Sequence, residues 1–284
     1  MSHGPRSGPS HPLPSLSVTV GRLGSMTDLD HALALKPDGD DWLAEVPQGW
    51  DQGRTTFGGL VSAYLVRAAQ NADSRSIRNA DVYFLEPVPP GPIRLSVDAV
   101  RAGKHLTQLE IGLTSGDKRA AMGRFLLGSA QSGSFDATPV PPAPEKALDD
   151  CIRMPVLEGI TPKFLENFDL RVGEGDVPMS GSDRAVAGGF VRNLGPAQGP
   201  AALMTHMDAW PPPQLALLNR PAAASSVRWH VAFHADVDEA DGQSWSWFRC
   251  EAQWRSGPLS TVTGMLVRDG RPVAFSEQTI AMYA

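Results

Sequence analysis

Only two cysteines occur in this 284-residue chain, Cys151 and Cys250. They allow one bridge at most, which excludes a disulfide-stapled scaffold. Cys250 lies in an alternating apolar segment and reads as a packed thiol rather than a reactive one. No run of about 18 apolar residues is present, so no membrane-spanning helix is expected. Basic tracts are missing too, and the formal net charge is −6, which argues against a nucleic-acid partner. The first 25 residues lack the compact apolar core of a secretory signal. Together these absences point to a reducing cytoplasm.

Several familiar chemistries are also missing. Neither common Gly-rich phosphate loop occurs. No G-x-S-x-G elbow is found, which disfavours an α/β-hydrolase nucleophile. His230 and His234 have a spacing that suits a metal on a helix, but their segment reads as a strand. There the two rings stand about 13 Å apart, too far to share an ion. The expectation is a protein without metal or cofactor.

What is present is a globular composition, 42% hydrophobic and 20% charged, in a chain long enough for one large or two ordinary domains. Residues 1–25 are rich in Ser, Gly, Pro and His and read as a disordered extension, with Met26 a candidate natural start. A first unit, 26–130, opens with a strand at Trp42-Leu43-Ala44-Glu45-Val46. Phe57-Gly58-Gly59-Leu60 then leads into a helix whose thirteen residues, 57–69, carry one charge, Arg67. Such a helix must be buried on every side, which in a soluble protein means wrapped by a sheet. Ile93, Leu95, Val97 and Ala99 alternate with polar residues, as do Leu109, Ile111 and Leu113; both patterns predict half-buried strands. A fourth strand is expected at about 119–127.

Residues 131–163, with Pro139, Pro141, Pro142 and Pro144, read as a linker. The second unit, 164–284, repeats the order of the first. Strands are expected at 164–172 and 189–194, a helix starting near Pro211-Pro212-Pro213, and strands at 226–234, 245–254, 260–267 and 272–283. Asp269-Gly270 marks the last hairpin. Strand, buried helix and long antiparallel strands, twice over, make a duplicated α+β unit.

Three residues look ordinary when taken singly. Asp208, before the prolines, reads as an N-cap or as a general base held near a helix end. Ser226 reads as a strand-edge serine and Gln278 as a solvated amide on an alternating strand.

The ordered set of segments resembles the bacterial acyl-CoA thioesterase II (TesB-like) family of double-hotdog enzymes. Thr56-Phe57-Gly58-Gly59-Leu60 resembles its F-G-G segment. Tyr83-Phe84-Leu85-x-Pro87, Ile93 and Arg101-x-Gly103 resemble its next strands. Phe164-x-x-Asn167-Phe168-x-x-Arg171 resembles the opening of its second half, and Asp269-Gly270-x-x-Val273-Ala274-x-Ser276-x-Gln278 its closing hairpin. The resemblance implies a tandem hotdog, each half a long helix wrapped by an antiparallel sheet. It implies an acyl-CoA substrate, a homodimer or higher oligomer, and a catalytic aspartate, hydroxyl and glutamine at Asp208, Ser226 and Gln278. Ser226 stands where the best-known members carry threonine, and Ser225 beside it is an alternative. Phe57, Gly58 and Gly59 are the expected substrate-binding segment, the glycines letting a thioester approach the backbone closely; the alternative for the glycines is tight helix–sheet packing. Arg101, Lys104, Arg119 and Arg268 are candidate phosphate contacts. Two other functions fit the same fold: a hydratase or dehydratase using His206, although no H-x-x-x-G-x-x-x-x-P pattern occurs, and a non-catalytic acyl-CoA or lipid-binding module.

Overall fold

The computed structural model describes residues 28–129, 140–234 and 237–283, without the side chains of 254–256. The expected disordered extension, Met26, Ala130 and Pro139 lie outside the described residues. The chain runs α1 (Leu29–Ala32), β1 (Lys36–Asp38), β2 (Asp41–Val46), a short hairpin of β3 (Asp51–Gln52) and β4 (Thr55–Thr56), α2 (Gly58–Ala72), β5 (Ser76–Phe84), β6 (Gly91–Ala102), β7 (Leu106–Ser115) and β8 (Lys118–Gly128). It continues through β9 (Ile152–Arg153), β10 (Phe168–Gly175), β11 (Val186–Asn193), α3 (Gly199–Asp208), β12 (Ala223–Phe233), β13 (Ser246–Ser256), β14 (Leu259–Arg268) and β15 (Arg271–Tyr283). Single 3-10 turns occupy Leu148–Asp150, Lys163–Asn167 and Pro213–Leu217.

Thirteen strands form one antiparallel sheet, ordered β1-β2-β6-β7-β8-β5-β12-β15-β14-β13-β11-β10-β9. The order β2-β6-β7-β8-β5 in the first half matches β11-β13-β14-β15-β12 in the second. In each, the strand before the helix and the strand after it flank three hairpin-linked strands. β5 pairs with β12, Asp81 opposite His230, and joins the halves into one sheet. This is the tandem hotdog.

The nearly uncharged helix is buried as its sequence requires. From Gly59 to Ala69 every residue of α2 is buried except Arg67, whose guanidinium pairs with Asp30 of α1 at 3.1 Å. Leu60 and Leu65 are fully enclosed, each contributing about 1.5–3 kcal/mol. α2 packs on β5 to β8 and against α3, so the two helices form a common centre.

The second helix departs from expectation. It lies upstream of the prolines, at Gly199–Asp208, and Pro213–Leu217 is only a 3-10 turn. Each proline biases the preceding residue away from the helical region, so three in a row stop a helix rather than start one. The true start is Gly199-Pro200. Gly199 takes φ +70 and Pro200 occupies the first turn, where its missing N–H costs nothing. Asp208 is therefore the last residue of α3, not an N-cap. Two other boundaries moved. Residues 163–167 form a 3-10 turn before β10 begins at Phe168. Within the expected linker, β9 pairs with β10, Ile152 opposite Val172, and extends the sheet by a strand. β5 carries no clean alternation because a bulge between Ile77 and Asn79 shifts its register.

Candidate active site

The C-terminal end of α3 meets the first turn of α2, and Asp208 stands at that junction. A Cβ at Gly58 would lie 2.9 Å from Asp208 Oδ2, and one at Gly59 would lie 3.2 Å from Asp208 Cβ. The glycine pair thus allows the carboxylate to reach the helix start. Its own helix presents the negative dipole end to Asp208; the favourable end belongs to α2. Burial is the largest influence on this carboxyl and pushes it up to about 7, against the lowering effect of the Gln278 amide and the Gly59 N–H. The residue keeps partial exposure, and it lines a cavity.

Gln278 on β15 holds the site together. Its Nε2 donates to Asp208 Oδ1 at 3.0 Å and to Ser226 Oγ at 2.7 Å, using both amide hydrogens. Ser226 reaches it because β12 bulges. Ser226 pairs with Ile280 and Trp229 with Gln278, with a register shift between Ser226 and Arg228. Residues three apart on a regular strand face opposite sides; the bulge lets Ser226 and Trp229 both line the cavity. The Ser225 hydroxyl is instead 3.5 Å from the Ser226 carbonyl, and Ser225 is exposed. The hydroxyl that meets Gln278 is therefore Ser226.

The cavity measures about 290 Å³. Thr56, Gly58, Val61 and Phe84 come to it from the first half, and Met207, Trp210, Trp229, Phe248, Cys250, Val262 and Ile280 from the second. None of these apolar residues was separable in the sequence from ordinary core. The Cys250 thiol is pushed up to about 12 by burial, which keeps it an unreactive wall group. The Thr56 hydroxyl and the Trp210 indole N–H are buried without a partner among the described residues.

Phe57 does not line the cavity. It is fully buried, stacked on Phe164 at 4.0 Å, with Phe168 edge-on at 5.9 Å. The Asn167 side chain donates to Gly49 and Phe164 carbonyls, both at 3.1 Å. The F-G-G segment and the F-x-x-N-F segment, far apart in sequence, are thus one clamp between the halves. Gly59 has a similar supporting role, since a Cβ there would lie 2.4 Å from the Phe57 ring; Gly58 is the member of the trio on the cavity wall. Gly59→Ala is expected to cost about 1–3 kcal/mol by overpacking this fixed ring, read as a lowered midpoint in denaturant unfolding.

His206 does not share the site. Two residues from Asp208 on a helix, it projects about 200° away. It is fully buried between Asn193 Oδ1 (2.7 Å), the Gly242 carbonyl (3.1 Å) and Ser246 Oγ (3.0 Å). Burial holds it near 3, so it is a neutral structural ring. That removes the residue on which a hydratase reading rested. Arg268 is likewise committed, to the Asp241 carbonyl at 2.8 Å and Ser246 Oγ at 3.4 Å, while Arg101, Lys104 and Arg119 are exposed. Among the described residues no cluster of His, Cys, Asp or Glu could hold a metal, and no helix is long and apolar enough to cross a membrane.

Residues 46–128 match the acyl-CoA thioesterase N-terminal domain, and residues 142–282 match the acyl-CoA thioesterase C-terminal domain. The chain belongs to the acyl-CoA thioesterase family. It is accordingly a thioester hydrolase with two hotdog halves. Solved structures share the fold. A hot dog fold protein of unknown function from Alicyclobacillus acidocaldarius superposes with a TM-score of 0.81 at 20% identity, over 90% of this chain and 98% of that one. A protein from Thermobifida fusca, proposed to be a thioesterase II, gives 0.78 at 19% identity over 92% and 99%. The TesB protein of Mycobacterium avium subsp. paratuberculosis gives 0.73 at 17% identity over 90% and 98%. No curated protein matches by sequence.

Proposed function

We propose that this thioesterase hydrolyses acyl-CoA thioesters directly, with water activated by Asp208 and oriented by Ser226 and Gln278. The observation that carries this reading is the convergence of Asp208 and Ser226 on one amide at a cavity wall. A carboxyl near 7 is matched to neutral pH: enough is ionised to accept a proton, and it is basic enough to take one from water. The Gln278 amide fixes the carboxylate and the hydroxyl relative to each other, and the Ser226 hydroxyl keeps its own hydrogen for the water. The water oxygen attacks the thioester carbonyl carbon as Asp208 takes its proton. The Gly58 N–H, at the first position of α2, has no acceptor within the helix and suits the developing oxyanion. The carbon–sulfur bond then breaks, the proton passes from Asp208 to the CoA sulfur, and the free acid leaves. No covalent acyl-enzyme is needed.

The test is release of free CoA thiol from an acyl-CoA series. Activity is expected without added metal or nucleotide and unchanged after dialysis against a chelator, because base and donors are all protein groups. Activity lost on chelation and restored by one metal ion overturns this mechanism. Tight acyl-CoA binding with no thiol released establishes the binding-module reading instead.

A further inference from the structure

The strands of the second half set a measurable depth for the cavity. Gln278 faces Val262 across β15 and β14, and Ser276 faces Gly264 two residues along. Gly264 in turn faces Cys250 on β13. Phe248, two residues beyond Cys250 and so on the same sheet face, turns its ring back over Gly264. A Cβ at Gly264 would lie 2.6 Å from the Phe248 Cζ and 2.7 Å from its Cε2. That ring is buried and forms part of the cavity wall. A side chain at position 264 would occupy its place, so glycine there is what admits the ring.

We infer that Phe248 is the end wall of the acyl pocket and restricts this enzyme to short acyl chains. The inference rests on the proposed site, since it measures from Gln278. From the Gln278–Val262 row to the Ser276–Gly264 row is two strand residues, about 7 Å. An extended chain advances about 1.3 Å per tetrahedral carbon–carbon bond, so roughly six carbons fit before the ring is met. The cavity volume agrees: about 290 Å³ lies just under the range of ligand sites, about 300–1,000 Å³. An acyl chain of fatty-acid length has no room unless the ring moves.

The experiment is kcat/KM for thiol release from acetyl- to palmitoyl-CoA, with the parent enzyme, Phe248→Ala and Phe248→Leu. The parent should peak near hexanoyl-CoA and fall at least about tenfold at lauroyl-CoA, as each methylene without a place forfeits up to about 0.8 kcal/mol of burial. Phe248→Ala should move the optimum to longer chains and raise lauroyl-CoA turnover about tenfold. Phe248→Leu should shift it the same way by less, and covers the case in which the alanine variant fails to fold. A parent optimum at palmitoyl-CoA, or a profile that neither variant moves, overturns the inference and leaves the hydrolysis scheme standing. A parent that releases no thiol from any acyl-CoA overturns both.

Discussion

Asp208→Asn should reduce kcat by about 10²- to 10⁴-fold, the usual cost of losing a general base. The replacement keeps the shape and a partner for Gln278, so binding should survive and KM change little. In the parent, kcat should rise with pH and reach half its plateau near pH 7, since the ionised carboxylate is the active form and burial holds it there. The asparagine variant's residual rate should not show that midpoint. Ser226→Ala and Gln278→Ala should cost less if they share the orientation of the water, and Ser226→Thr should be tolerated because the hydroxyl stays. Steady-state thiol release between pH 5 and 9 measures all of this. Parent-like turnover by a folded Asp208→Asn enzyme removes Asp208 from the mechanism.

The same substitution should stabilise the protein at alkaline pH. In the fold the Asp208 carboxyl is raised from 3.8 to about 7, so between those values the folded state keeps a proton that the unfolded chain has lost. Stability from this group is therefore greatest below about pH 4, falls as pH rises to about 7, and is flat above. At about 1.4 kcal/mol per pH unit the fall is up to about 4 kcal/mol. Asparagine never ionises, but its amide offers one acceptor oxygen in place of the carboxylate's two, a poorer match to the Gln278 and Gly59 donors that costs about 1–2 kcal/mol. The variant should thus be about 2 kcal/mol more stable than the parent at pH 8 and no more stable at pH 4. Urea unfolding at the two pH values tests the difference, with the other ionisable groups cancelling between the two proteins. Equal differences at both pH values would show that Asp208 titrates normally. The proposed base, held at such a cost, fits the general trade between stability and activity.

Much of the architecture was legible because it is written in local periodicity. The uncharged run from Phe57 to Ala69 could only be a buried helix, and the alternation at Ile93-Leu95-Val97 and Leu109-Ile111-Leu113 could only be strands with one face inside. The repetition of that order gave the tandem fold. Where local signals conflicted, the sequence misled. Pro211 to Pro213 looked like a helix start, yet Gly199-Pro200 begins the helix and the prolines follow its end, because Gly199 is one of the few residues that tolerates φ +70.

The sequence by itself determined one buried helix, two sets of antiparallel strands, and which residue types were on hand for proton transfer. Only the tertiary structure decided how those residues are arranged. That Asp208 ends α3 but draws on the first turn of α2, that a bulge turns Ser226 rather than Ser225 toward Gln278, and that Phe57 clamps Phe164 instead of lining the cavity all depend on contacts between segments far apart in the chain. The physical reason is range: periodicity and capping act over a few residues, whereas the carboxyl near 7 arises from burial between two helices and a strand from separate parts of the sequence, which no local pattern encodes.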